Sequence, residues 1–277
     1  PLSTAKRVIE LTTLSLNSEL AVLQALSAAA SKEKKIHQVI LMVELGDLRE
    51  GIMPQDLPVI VAEVIKLPAI RLVGLGANLA CLAGVVPSEE NMSRLITLAE
   101  ELEQQFGIPL PQLSAINSSG LELIASGKMP QRINHARIGE AILLGRETTH
   151  RRPLRNTYQD AFQLHAEILE LKQKPSMPKG ELAEDAFGHN PNFPDNGNRL
   201  RALLNVGRED VDIEGLMPLD NRLKIVGGSS GYLVLDITAA EGELRVGDEI
   251  VFTPNYSALL VAMTSEYVKK QLLNQDA

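Results

Sequence analysis

The chain has 277 residues, 44% apolar and 22% charged, enough to bury a sizeable core in one large domain or two ordinary ones. Its net charge of −8 argues against a nucleic-acid binder, which needs a basic face. A single cysteine, Cys81, excludes an internal disulfide and fits a reducing, cytoplasmic setting, and no apolar run approaches the ~20 residues needed to span a bilayer. The sequence opens on Pro1-Leu2-Ser3 with no signal-peptide pattern and reads as an internal start.

Residues 4–10 read as a helix, followed by a short strand through Leu14 and Leu16. Ser18 is expected to open a second helix, in which Leu20, Leu23, Ala25 and Leu26 recur at helical spacing and Lys32–Lys35 closes the pattern. Val39–Val43 is a continuous apolar run, as in a strand buried on both faces of a parallel sheet. A helix over 55–66 ends at Pro68, and a strand at Ile70–Leu75 runs into a Gly74-Leu75-Gly76 turn. Residues 88–106 form the clearest helix, capped by Ser88 and stopped by Gly107. A strand at Leu113–Ile116, a helix from Ser118 to Ser126 and a strand at Ala136–Ile138 complete an alternating pattern that implies a parallel α/β sheet or barrel. Gly74-Leu75-Gly76 lacks the third glycine and the helix start of a dinucleotide fingerprint.

After about residue 150 the period changes to two. Phe162, Leu164, Ala166 and Ile168 alternate with polar residues. Pro191–Gly197 is a polar loop, and Arg201–Val206, Leu223–Val226, Tyr232–Ile237 and Glu249–Phe252 read as strands before a partly helical tail over Ala258–Leu273. The expected organisation is an α/β domain over 1–152 and a mainly β domain over 153–277.

Four stretches carry chemistry. In Val43–Gly51, a buried strand ends in Gly46, Asp47 and Arg49, and an arginine there is suited to a carboxylate or phosphate. A surface salt-bridged loop fits the same residues. In Gly74–Cys81, small residues allow close backbone approach, and Asn78 is able to hydrogen-bond a ring or phenolate oxygen. Ser114–Gly120 places Asn117, Ser118 and Ser119 between a strand and a helix, which suits either an anion or a plain N-cap. In Ile133–Ala141, Gly139 is placed to present N–H groups to a phosphate and Arg137 to face a ring nitrogen; His135 reads as structural. All four follow successive strands, so they would line one mouth.

The stretches Asn17-Ser18-Glu19-Leu20, Gly46–Gly51, Asn117-Ser118-Ser119 and Arg137–Glu147 together resemble the ornithine racemase branch of the alanine racemase-like proteins. The resemblance continues through Gly207–Asp212 and Ala262–Ser265 and covers nearly the whole chain. It implies an α/β fold: a TIM-type barrel that binds pyridoxal 5′-phosphate (PLP), with its first strands absent here, followed by a β domain. It also implies racemisation of a free, basic amino acid such as ornithine. A proton would leave Cα to one base and return from another on the opposite face. A homodimer with sites built from both chains is implied; no metal, nucleic-acid or membrane partner is expected. Residue by residue, Ser118 and the backbone of Gly139 and Glu140 would hold the cofactor phosphate, within the Asn117-Ser118-Ser119 motif. Arg137 would donate to the pyridine nitrogen. Arg49 would lie near the phenolic oxygen and the substrate carboxylate, Asn78 would take the place of a histidine packed at the ring, and Tyr256 would reach the phosphate.

Three departures stand out. No lysine of the chain matches the one that holds the cofactor on the family's first barrel strand; Lys66 follows a helix and Lys128 sits in a Gly-Lys-Met loop. Arg208 stands where alanine racemases carry a catalytic tyrosine, and arginine is a poor base, which leaves the thiol of Cys81 as a candidate proton-exchanging group. Gly231 and Tyr232 replace a usual Asp and His. Glu209 and Asp210 are candidates for a basic substrate's ammonium. Two rival readings share the barrel. A decarboxylase would need a cysteine in the second domain, which is lacking, and a PLP carrier without turnover is usually a lone barrel.

Overall fold

The computed structural model describes residues 1–190 and 192–273. Among them, five strands form one parallel sheet: β1 (Leu14–Asn17), β2 (His37–Met42), β3 (Ile70–Gly76), β4 (Gln112–Ile116) and β5 (His135–Ala136). They lie in sequence order, each hydrogen-bonded to the next. That order never reverses, so the winding is that of a β/α barrel and not of a doubly wound sheet. The connecting helices are α2 (Leu20–Lys32), α3 (Leu57–Val64) and α4 (Glu89–Phe106), preceded by α1 (Ala5–Leu11). Two short helices follow, α5 (Leu121–Ala125) and α6 (Glu140–Leu144).

The longest helix shows why its sequence folds as it does. Ser88 Oγ accepts from Asn91 N–H at 3.3 Å while Asn91 Oδ1 accepts from Ser88 N–H at 2.8 Å, a reciprocal cap. Met92, Leu95, Leu98, Ala99 and Leu102 then bury one face of α4. Gly107 ends it at φ 64°, a left-handed position that glycine adopts without strain. The buried face packs on Val39, Leu41, Leu75 and Leu113 of the sheet.

Several expectations shift. The helix expected from Ser18 starts at Leu20, and no side chain caps it. Gly74 and Gly76 lie within β3, not in a turn. A Cβ at Gly74 would sit 1.8 Å from the Gln112 carbonyl oxygen, so glycine is there for close strand approach. The strand expected at Ala136–Ile138 is the two-residue β5. The helix expected from Ser118 begins as a 3₁₀ turn at Ser118–Gly120.

The second sheet is antiparallel throughout, in the order β8-β11-β6-β7-β10-β9, with β6 Leu164–Pro175, β7 Asn198–Leu204, β8 Leu216–Pro218, β9 Lys224–Gly228, β10 Leu233–Asp236 and β11 Glu249–Pro254. The edge strand β8 was not expected; three residues are too few for a period to show. A helix, α7 (Tyr256–Thr264), follows β11. Leu164, Ala166 and Ile168 are buried as their alternation requires, and they share a core with Leu204, Leu235 and Phe252. Within the loop expected at 191–197, Pro191 lies outside the described residues, and 192–197 have no regular structure.

The chain divides into compact units Pro1–Thr157 and Tyr158–Ala277. Residues 153–157 go with the first because Leu154 N–H and Thr157 Oγ1 both donate to the Gly145 carbonyl at 2.9 Å.

Candidate active site

Parallel strands place all their C-terminal ends on one edge. The four motif segments therefore leave the first sheet side by side, after β2, β3, β4 and β5.

Arg137, just past β5, is tied down at both terminal nitrogens. Nη1 donates to the Ser114 carbonyl at 2.8 Å and to Ser114 Oγ; Nη2 donates to the Ala77 carbonyl at 2.9 Å and to Asn78 Oδ1 at 2.6 Å. Its Nε has no protein acceptor among the described residues. Burial pushes the guanidinium pKa down, while Glu50 and Cys81 oppose that. On the far side of Ser114, the hydroxyl lies 2.7 Å from His135 Nδ1. His135 therefore supports Arg137 through Ser114, in keeping with a structural role.

Asn78 spans two groups. Its Oδ1 takes Arg137, and its Nδ2 donates to Glu50 Oε1. Glu50 in turn receives the fork of Arg49, from Nε on Oε2 and from Nη2 on Oε1 at 2.7 Å. Arg49 holds the Glu50 carboxyl below its usual range, with burial opposing and Asn78 assisting; the same bond raises Arg49.

Ser118 is buried, and its Oγ accepts from Gly139 N–H at 3.4 Å and Ala141 N–H at 3.1 Å. Its own hydroxyl proton and the N–H of Glu140 have no protein acceptor among the described residues. A Cβ built on Gly139 would meet nothing within 4 Å, so the space beside these donors is open. The Glu140 side chain points elsewhere, to Arg151.

Asn117 is committed to the protein. Its Oδ1 accepts from Ser119 N–H at 2.8 Å, and its Nδ2 donates to the Leu79 carbonyl at 2.7 Å and reaches Cys81 Sγ at 3.5 Å. Asp47, fully buried, accepts from the N–H groups of Cys81 (3.1 Å), Leu82 (2.8 Å) and Val85 (3.2 Å). Burial alone would raise the Asp47 pKa, but these three bonds and the charge of Arg49 leave it depressed. Burial pushes the Cys81 thiol up, partly offset by Arg49.

Glu122, Glu147 and His150 also converge. Arg152 already pairs with Glu122, and Glu147 accepts from the N–H groups of Thr149, His150 and Arg152, so the cluster is closed by the protein's own donors.

In the second unit, Arg208 is paired with Glu214 through Nη1 (3.1 Å) and Nη2 (2.7 Å), gives Nε to the Gly228 carbonyl, and stacks 5.2 Å over Phe187. It is a structural cation there, not a base. Asp210 is buried and accepts from Ser265 Oγ at 2.8 Å, which takes it out of ammonium binding; Glu209 stays exposed. Tyr256 is the first residue of α7 and is 40% exposed.

Residues 3–147 match the family model for the alanine racemase N-terminal domain. The chain belongs to the alanine racemase family. A family relative, ornithine racemase of Acetoanaerobium sticklandii, is 45% identical over 96% of this chain and 76% of its own length. Lysine racemase of Thermotoga maritima is 38% identical over 87% of the chain and 67% of its own length. Among solved structures, the alanine racemase of Bartonella henselae with covalently bound pyridoxal phosphate aligns at TM-score 0.60 and 17% identity, over 91% of this chain and 67% of that one. At that identity the likeness shows the fold alone.

Glu50, Ser114 and Asp47 stand inside the motifs read from sequence but received no role there. Their spacing carries no signal, because each acts on a group from a different strand end.

Proposed function

We propose that the chain is the greater part of a PLP-dependent racemase of a basic amino acid, ornithine or lysine. The observation that carries this is the pair of unspent donors, Ser118 O–H and Glu140 N–H, beside an Arg137 anchored on three sides. The residues present fit the group's phosphate and ring nitrogen, while no lysine of this chain matches the one that would hold it covalently. A dianionic phosphate supplies the acceptors that Ser118 and Glu140 lack, and a pyridine nitrogen supplies one for Arg137 Nε. Such a cofactor, when bound, withdraws electrons from the substrate Cα and so makes its proton labile.

The chain's own residues then divide the work. Ser118 and the Gly139–Glu140 backbone hold the phosphate. Arg137 presents a permanent cation to the ring nitrogen, so that nitrogen gains a hydrogen bond without gaining a proton. Arg49 offers the rest of its guanidinium to the substrate carboxylate. Cys81, exposed at the site and with its thiol pKa pushed up, would return a proton to Cα on one face. Asn117 and Asp47 hold the Cys81 loop in place. The full enzyme is proposed to be a homodimer acting in the cytoplasm.

The test is α-proton exchange and loss of optical activity in deuterium oxide by the full-length enzyme, with PLP added and ornithine, lysine and alanine compared. Turnover of ornithine or lysine well above alanine is expected. Decarboxylation without racemisation would reject the reading.

A further inference from the structure

Glu50 joins the two arginines of the site, and nothing in the racemase reading gives it a task. Its Oε1 receives both Arg49 Nη2, at 2.7 Å, and Asn78 Nδ2, while Oε2 receives Arg49 Nε. No other carboxylate among the described residues hydrogen-bonds Arg49, Asn78 or Arg137. We propose that Glu50 is a positioning residue of the site, holding the fork of Arg49 and fixing which end of the Asn78 amide faces Arg137. The proposal rests on the racemase reading for what Arg49 and Arg137 then do.

The polarity of the chain of bonds follows from the groups at its ends. A guanidinium only donates, so Arg137 must meet the oxygen of Asn78. A carboxylate only accepts, so Glu50 must meet the nitrogen. Flipping the amide breaks both bonds at once and sets donor against donor and acceptor against acceptor. Arg137 keeps its bonds to Ala77 and Ser114 without help. What depends on Glu50 is therefore the direction of Arg49 and the orientation of Asn78. Glu50 occupies the Nε edge of Arg49, which leaves the Nη1 end free of it. An incoming carboxylate would meet a guanidinium already aimed by its other edge.

Three substitutions separate oriented bonding from mere charge. Glu50→Gln keeps one oxygen for Asn78 but turns an amide toward Arg49 Nε. Glu50→Leu removes both bonds. Glu50→Asp keeps the charge and loses reach. The assay reads KM and kcat for racemisation, together with PLP affinity by fluorescence titration of the full-length enzyme. For Glu50→Gln, KM rises about tenfold while kcat and PLP affinity stay within about threefold. For Glu50→Leu and Glu50→Asp, KM rises as much and PLP binding weakens about tenfold as well, because Asn78 is no longer held. The proposal fails if Glu50→Asp matches wild type, or if all three variants change every parameter equally. It also fails if Glu50→Leu leaves KM and PLP affinity within about twofold. Should the leucine variant not fold, the aspartate and glutamine variants still decide. A wild-type enzyme that binds PLP but does not racemise would sink the functional reading and leave this one to the affinity measurements.

Discussion

Ser118 has an acceptor role filled within the protein and a donor role left open. Ser118→Ala removes one charge-assisted donor to a phosphate, worth about 1.5–3 kcal/mol, so PLP affinity should fall by roughly 10- to 150-fold. The same change also frees two backbone N–H groups that the hydroxyl accepts. Titrating PLP into wild type and variant measures it, and equal affinities would reduce Ser118 to a loop tie. Cys81 makes a sharper case. If its thiol returns the proton on one face, Cys81→Ala should leave exchange of one enantiomer's α-proton measurable while interconversion falls by about 100-fold or more. Racemisation at wild-type rate in that variant would remove Cys81 from the chemistry. Arg137→Lys keeps the charge but satisfies fewer of the carbonyls of Ala77 and Ser114, at a cost of about 1–3 kcal/mol visible in urea unfolding.

The loops after β2, β3 and α6 are held by buried carboxylates, not by regular structure. Asp47 gathers three backbone N–H groups from the loop after β3, and Glu147, 3% exposed, gathers those of Thr149, His150 and Arg152. Both carboxyl pKa values are depressed although burial acts to raise them, because the N–H bonds favour the ionised form. A depressed acid contributes stability above its unfolded value, near pH 4, and loses it as pH falls through the folded value. The melting temperature should thus fall as pH drops from about 5 to below 4. Glu147→Gln should flatten that fall and lower stability at pH 7 by about 1–3 kcal/mol. Thermal melts of both proteins across pH check it; parallel curves would remove Glu147 from the acid transition.

For the molecule as a whole, each unit carries its own core. Phe252 is fully buried among Leu164, Ile168 and Leu235 of the second sheet. Phe252→Ala should cost about 3–5 kcal/mol, with amide protection lost first in β6, β7 and β11. Amide exchange followed strand by strand tests this; unchanged protection in those strands would mean that the core assignment is wrong. The apolar period changes from helical spacing to two near residue 150, close to where the chain divides into its two units. The boundary itself was not legible there, since residues 153–157 join the first unit through bonds to Gly145 that no pattern announces.

Sequence by itself determined the alternation of strands and helices, the burial of Val39–Met42 and α4, and the four motifs that follow successive strands. These are local properties: a period, a cap, a run of apolar residues. Sequence also carried the family, because many short identities agree in order along the chain. Only the tertiary structure decided how the motifs interact. Gly74 and Gly76 proved to be strand residues, and at Gly74 β4 approaches too closely for a Cβ, a fact about a neighbour 38 residues away along the chain, at Gln112. Asn117 turned from the open site to Leu79 and Cys81, and Asp210 turned to Ser265. Glu50 became the link between Arg49 and Asn78. In each case the deciding partner comes from another strand end or another loop, and hydrogen-bond direction across such gaps is set by the packing of the sheet, which no spacing along the chain encodes.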